Sequence, residues 1–441
     1  MPALRPDALD DNRACWLDEA APYTPLPPLQ GSETADVAVI GGGFTGVSTA
    51  WHLSQRFPDR RIVLLEAKSL ANGASGRNGG QALNWINGVD SDNPADARRI
   101  YAVTCAGIDL IAELVGRYGL AAGFDRRGCL EVYTNARSAE AAQARVERLR
   151  RSGIPLEWRP GTASGVHGAH GAVHDPSAAR VNGVALLRAL RPVLQAQGVA
   201  VYEATPVLAI EEGAAIALRT PNGGVRAAAV VLATNAYTPS LGYFTDRILP
   251  LHSHVVATDP LPEALWASLG WNAHDGFSDD LDRIAYGCRT AGGRLVFGGG
   301  GNDAYTYLYG GAPVFTGRAA QAARSFAAIE RHLRVYFPSV GVVPITHRWT
   351  GTLAITLDRV CSMGVRGAHR NVYYALGYSG HGIALAMLAG RVLRDLYSGD
   401  HDAWSDLPFY QRQMPRLPPE PLRWIGYQLY TRLTGRSPRR R

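Results

Sequence analysis

The stretch DVAVIGGGFTGVSTAWHL, residues 36–53, narrows the choice of fold more than any other part of the chain. Apolar Val37, Val39 and Ile40 read as a short strand running into Gly41, Gly43 and Gly46, a G-x-G-x-x-G spacing at whose last glycine a helix begins. Each glycine has its own task. Gly41 permits a tight turn, Gly43 lets the backbone approach a pyrophosphate, and Gly46 lets helix and strand pack closely. The helix N-terminus, with Phe44 and Thr45 beside it, then faces the negative charge. A second strand over residues 62–65 ends in Glu66, 20 residues after Gly46, where a carboxylate accepts both ribose hydroxyls and disfavours a 2′-phosphate. Ala67 and Lys68 continue this contact at the adenosine end.

Directly afterwards comes ANGASGRNGGQ, residues 71–81, a run of small and hydrogen-bonding residues with no apolar face to bury. Such a loop suits a backbone that lies against a pyrophosphate and then passes the edge of a flat ring. Ala74, Ser75, Arg77, Asn78, Gly79, Gly80 and Gln81 are its contact residues, largely as amide donors. Strand, glycine triplet, helix, second strand, acid and loop together point to an adenine dinucleotide whose far end is a flavin.

GASGRNGGQ (residues 73–81), ATNAY (233–237), RWTGTLAITLDR (348–359) and GYSGHGI (377–383) stand at telling intervals. With them the chain resembles the FAD-dependent oxidoreductases of the D-amino-acid oxidase, glycine oxidase and sarcosine oxidase superfamily. Within that group it is most similar to bacterial γ-glutamylputrescine oxidases, over about residues 34–400. The resemblance implies an α/β (mixed α+β) fold, with a Rossmann-like FAD-binding domain and an antiparallel-sheet substrate domain. In the family, a strand following a helix brings main-chain groups to the adenine, and Val207 matches that place. Thr234 falls near the dinucleotide, and Trp349, Thr350 and Gly351 pass along the flavin and the substrate cavity. Where the family often has His-Pro, this chain has Val181 and Asn182, a departure at a helix entry. Some relatives attach flavin through a cysteine, but the matching place here holds Gly351, and Cys361 lies well beyond it. No histidine interrupts residues 71–81, so non-covalent FAD is expected.

The 441 residues are ample for two intimately joined domains. Five scattered cysteines without C-x-x-C or metal spacing argue against a metal site and a flavin disulfide reductase, and suit a reducing compartment. No run of about twenty apolar residues exists, and the N-terminus lacks a signal-peptide pattern, so a cytoplasmic location is expected. The net charge of +7 invites nucleic acid, yet Lys68 is the only lysine, and much of the excess sits in Arg436 and Arg439 to Arg441. Without a helix-turn-helix, zinc finger or basic-aromatic repeat, it reads as a basic surface plus a tail.

Residues 1–34, with six prolines, read as an extended arm. The FAD-binding domain is expected over residues 35–90, about 160–248 and 340–400, and the substrate domain over about 91–159 and 249–339. A helix is expected over 94–118, a strand over 129–133, and paired strands over 199–203 and 207–210. Residues 301–315, aromatic and glycine-rich, read as irregular, either a lid or a surface loop packed on the sheet.

In GYSGHGIALAMLAGRVLRDLY, residues 377–397, Gly380, His381, Gly382 and Ile383 open an apolar helix whose N-terminus faces the flavin and stabilises its anionic reduced form. His381 either takes part or merely caps. The resemblance implies that a neutral amine places its α-carbon hydrogen over flavin N5, loses a hydride equivalent and leaves as an imine, with no obligatory protein base. His381, Trp349, His252 and Tyr286 are the candidates at this centre, with His254 and Arg289 further possibilities on the substrate sheet. Relatives that use a lysine to speed reduction of oxygen have no counterpart here, because Lys68 belongs to the adenosine end. The acceptor is therefore oxygen, helped by a histidine or the helix end, or a quinone.

Residues 401–441 form an extension in which Leu422, Ile425, Leu429 and Leu433 share one helical stripe flanked by Trp424, Tyr427 and Tyr430. The helix either docks on the body or lies on an anionic membrane surface near quinones. Two other classes stay open: a nicotinamide-dependent dehydrogenase, which has no use for GASGRNGGQ or GYSGHGI, and a non-catalytic flavoprotein subunit.

Overall fold

The computed structural model describes residues 13–89, 91, 93–311 and 319–434. Apolar runs decide its first sheet. Strand Gly31–Ile40 lies between two parallel neighbours, Gly223–Leu232 and Ile62–Leu65. Its last four residues and all of Ile62–Leu65 are buried, the mark of parallel strands covered on both faces. Ile40 pairs with both Leu232 and Leu65, so the three strands end together. There the chain turns through Gly41 into helix Phe44–Arg56. Ligands of open α/β sheets bind beyond this carboxyl edge. Ala200–Tyr202 and Val372–Leu376 widen the sheet in parallel, Ser362–Arg366 closes one side antiparallel, and helix Gly382–Ser398 packs against Phe44–Arg56. The expected pairing of 199–203 with 207–210 does not form: Ala200–Tyr202 joins Ile62–Leu65, whereas Ala209–Glu211 pairs with Ile216–Thr220.

Among the described residues the second sheet has nine strands and is mainly antiparallel, with Gly276–Asp279 parallel to Cys129–Tyr133. Leu249–Pro260 is its spine, paired with Arg294–Gly299, Tyr305–Tyr307 and, along most of its length, Ile345–Ile355. Gly171–Asp175 pairs with Cys129–Tyr133 in the same sheet. The expected boundaries at about 160 and 340 therefore fall inside it. Strand partners are chosen by long-range register, which local alternation does not report.

Residues 301–315 are not wholly irregular, since Tyr305–Tyr307 is a strand; the part over 312–315 lies outside the described residues. In the N-terminal arm, helix Cys15–Asp18 buries Cys15 and Trp16, and the first sheet already begins at Gly31. Residues 1–12 lie outside the described residues. Asn182, at the departure from the family pattern, caps helix Gly183–Ala196 by accepting from Val184 N (3.0 Å) and Ala185 N (3.1 Å). Its Nδ2 also donates to the Trp16 carbonyl at 2.9 Å, tying the arm to the body.

Helix Leu422–Thr434 docks through its aromatic margin. Tyr427 packs on Tyr307 at 5.0 Å between ring centroids, and Asn302 Nδ2 donates to the Thr431 carbonyl at 2.8 Å. The stripe of Leu422, Ile425, Leu429 and Leu433 stays exposed. Arg436 and Arg439 to Arg441 lie outside the described residues. Among the described residues, no helix is long and apolar enough to cross a membrane.

Candidate active site

A cavity of about 680 Å³ reaches from the glycine turn to the C-terminal helix. Its first wall is backbone. Gly41 has φ +107°, and a Cβ there would stand 2.7 Å from the Ala233 carbonyl oxygen, so this turn requires glycine. A Cβ on Gly43 would stand 2.7 Å from Ser75 Oγ, which accepts from Phe44 N at 3.0 Å and joins the glycine turn to the loop at 71–81. Gly46 stands behind the wall, where a Cβ would overlap the Gly41 carbonyl oxygen at 1.8 Å. Phe44 and Thr45 line the cavity, with Thr45 Oγ1 2.7 Å from the Tyr378 hydroxyl.

Glu66 lines the same wall and accepts from Gly42 N (2.7 Å) and Lys68 N (2.9 Å). Burial raises its pKa. A carboxylate has about four acceptor positions, so with the amides of Gly42, Lys68 and Ala67 on it Glu66 keeps capacity for a ribose hydroxyl. Lys68 offers its amide to Glu66 and is not on the wall, whereas Ala67, Val207 and Thr234 are.

Ala74, Ser75, Arg77, Asn78, Gly79 and Gln81 also line the cavity. Asn78 braces this loop: its Nδ2 donates to the Ser75 carbonyl at 2.8 Å and its Oδ1 accepts from Gly80 N at 2.9 Å. Gly80 lies behind, against Trp16, whose indole donates to the Asn78 carbonyl at 2.8 Å. That buttress from the arm has no motif to announce it. Gln81 Nε2 donates to the Phe277 and Gly287 carbonyls, while its Oε1 is buried with no partner among the described residues.

The facing wall comes from the second sheet. Leu249, Leu251 and Ser253 point into the cavity, so strand alternation turns His252 and His254 to the opposite face. His254 is held there by Thr350 (2.8 Å) and Thr306 (3.0 Å), and burial pushes its pKa down to about 4. Trp349 is fully buried behind the wall and donates to the Arg77 carbonyl at 3.0 Å, setting the loop from outside. Arg289 pairs with Glu263, away from the cavity. Tyr286 and Gly351 are on the wall, and a Cβ on Gly79 would stand 2.6 Å from the Tyr286 ring. The Tyr286 hydroxyl is 3.2 Å from Ser253 Oγ, and burial raises its pKa, so the phenol is neutral at physiological pH.

Gly380, His381, Gly382 and Ile383 bring the N-terminus of helix Gly382–Ser398 to the wall, with His381 at the N-cap position. The partial positive charge of a helix end favours negative charge beside it. Towards the C-terminal helix the wall changes to Asp282, Arg283, Tyr305, Arg359, Tyr427 and Tyr430. Asp282 accepts from Arg359 at 2.5 Å and Tyr430 at 2.8 Å; burial pushes its pKa up, and Arg359 more than reverses this. No shared spacing in the sequence links Asp282, Arg283 and Arg359, so nothing local announces them as one cluster.

These residues fit FAD. Gly41 and Gly43 form a cradle that a Cβ would fill, Glu66 keeps acceptor capacity, and Gln81 presents a buried, unpaired amide oxygen. The family model of DAO, FAD dependent oxidoreductase, matches residues 36–396. The γ-glutamylputrescine oxidoreductase of Escherichia coli (strain K12) is 33% identical over 414 residues, 88% of this chain and 90% of the relative. The glycine oxidase of Geobacillus kaustophilus (strain HTA426) is 23% identical over 388 residues, 85% of this chain and 96% of the relative. In fold, the crystal structure of glycine oxidase from Geobacillus kaustophilus superposes with a TM-score of 0.71 at 21% identity, covering 86% of this chain and 99% of that one. The L-amino acid deaminase of Proteus myxofaciens superposes with a TM-score of 0.69 at 17% identity, covering 89% and 96%. The nicotinamide alternative falls with these matches, and the chain belongs to the DAO family of FAD-dependent oxidoreductases.

Proposed function

We propose that this protein oxidises the C–N bond of an amine of the γ-glutamylputrescine class to an imine, which water hydrolyses to a carbonyl compound. The observation that carries this reading is one cavity shared by the dinucleotide-cradling glycines and a wall of Ser253, Tyr286 and Tyr305. The substrate class draws support from the 33% identity with the γ-glutamylputrescine oxidoreductase of Escherichia coli. Bound FAD would supply the acceptor for the hydride equivalent leaving the α-carbon. Among the described residues no cysteine lines the cavity, in keeping with non-covalent attachment.

The chain's own part is orientation and electrostatics. The neutral Tyr286 phenol and Ser253 offer hydrogen bonds to an uncharged amine. The helix end at residues 380–383 favours negative charge at its wall. The five free cysteines fit work in the cytoplasm.

The test is anaerobic mixing of the yellow protein with a panel of amines and amino acids, followed by air. Bleaching by γ-glutamylputrescine and recovery in air is the expected result and makes it an oxidase. Recovery only on adding a quinone favours the dehydrogenase reading, to which the exposed stripe Leu422, Ile425, Leu429 and Leu433 gives a membrane-facing surface. Bleaching by no amine or amino acid sinks the proposal.

A further inference from the structure

We propose that Arg283, caged by three tyrosines beside the C-terminal helix, is a carboxylate-binding subsite, so that the substrate is an amine carrying a carboxylate at its far end. The proposal deepens the amine reading above and rests on it for the reaction, though not for the binding. Arg283 is only 9% exposed and lines the cavity. Its guanidinium carbon lies over three rings, 5.7 Å from the centroid of Tyr305, 5.2 Å from Tyr427 and 5.7 Å from Tyr430. Its Nε has no hydrogen-bond partner and it enters no ion pair among the described residues, although its charge still acts on the neighbouring Asp282 carboxylate. The adjacent carboxylate is already engaged, because Asp282 accepts from Arg359, Tyr430 and Thr434.

A guanidinium removed from water with donors left over is costly unless an anion completes it. Contacts with aromatic rings take up none of the guanidinium's N–H groups, which remain for a planar, bidentate acceptor, and a carboxylate has that shape. The surroundings agree in sign, since Arg359 is balanced by Asp282 and Arg423 adds a further cation to the lining of the same cavity. Arg283 stands three residues before Tyr286, so their Cα atoms are at most about 11 Å apart. An extended amine with its reacting carbon near Tyr286 therefore reaches Arg283 with its other end. Two of the three rings belong to helix Leu422–Thr434, beyond the 36–396 matched by the family model, so the extension helps to form the substrate wall.

The experiment compares holoenzyme and the Arg283→Gln and Arg283→Lys variants on γ-glutamylputrescine and on N-acetylputrescine, which keeps the amide and the reacting amine but lacks the α-carboxylate and the α-amino group beside it. Glutarate, which cannot be oxidised, is titrated into each protein by calorimetry. Arg283→Gln is expected to raise the ratio of the two KM values (γ-glutamylputrescine over N-acetylputrescine) roughly 10- to 100-fold and to weaken glutarate by a similar factor. Arg283→Lys, which keeps charge but not the fork, should fall between. Flavin content and melting point report whether each variant is folded, and Arg283→Lys decides the matter should Arg283→Gln fail to fold. An unchanged KM ratio, or glutarate binding equally well to all three proteins or to none, overturns the proposal and leaves Arg283 as a clamp on the helix. Should neither amine bleach the wild-type flavin, the amine reading fails, while the glutarate titration still decides the subsite.

Discussion

Glu66 and Arg283 stand in walls of one cavity and are held there in different ways. Glu66 is fixed by backbone amides of Gly42 and Lys68, within a single strand–turn–helix–strand unit. Arg283 is fixed by rings from Tyr305, Tyr427 and Tyr430, the last two more than a hundred residues along the chain. A backbone site is written in local spacing, because glycines and a strand-terminal acid must recur at set intervals. A side-chain cage needs only that distant segments meet, and so leaves no interval to read.

The contrast breaks most visibly at Gly46. Gly46→Val pushes a side chain into the Gly41 carbonyl and should cost about 3 kcal/mol, yielding protein that is colourless or insoluble. Normal flavin absorbance and an unchanged melting point would show that the glycine turn is not the cradle.

His254 tests the other wall. Burial holds its pKa down to about 4 against an ordinary 6.5, so folding favours the uncharged ring. Its stabilisation is present above about 6.5 and is lost as pH falls towards about 4, worth about 3 kcal/mol. His52 and His274, each pushed down to about 3 by burial, act in the same direction. Denaturation followed from pH 7 to 4 should show this loss, and His254→Gln should flatten part of it. Because the ring faces away from the cavity, saturating substrate should leave that histidine's share unaltered; a substrate-dependent shift would return His254 to the site.

Glu66→Gln sharpens the local half. One acceptor oxygen and the charge are lost, so FAD should bind more weakly by about 2 kcal/mol, read as the dissociation constant from apoprotein titration. The smallest effect is expected from Asn182→Ala, which removes a helix cap and a link to Trp16. A loss of about 1 kcal/mol and a melting point lower by about 2 °C would fit, with no change in flavin content.

How far the site was legible follows the same division. The wall around Gly41, Gly43, Glu66 and residues 74–81 could be read from spacing. His252 and His254 were attractive as titratable groups, but strand parity decides which side chains face the cavity, and parity is set by pairing with Ile345–Ile355. Ser253, the residue between them, is the one on the wall. Trp349, expected along the flavin as a candidate at the reacting centre, instead lies behind the wall and acts through the Arg77 carbonyl.

By itself the sequence determined that this chain builds a parallel βαβ unit ending in an acid, followed by a loop that cannot be core, because glycine sterics and apolar runs act between near neighbours. Tertiary structure alone decided that Ile345–Ile355 joins the second sheet, that Trp16 braces the flavin loop, and that Arg283 meets the C-terminal tyrosines. Those outcomes depend on contacts between segments far apart in the chain, whose free energies are settled only when both sheets have formed and packed.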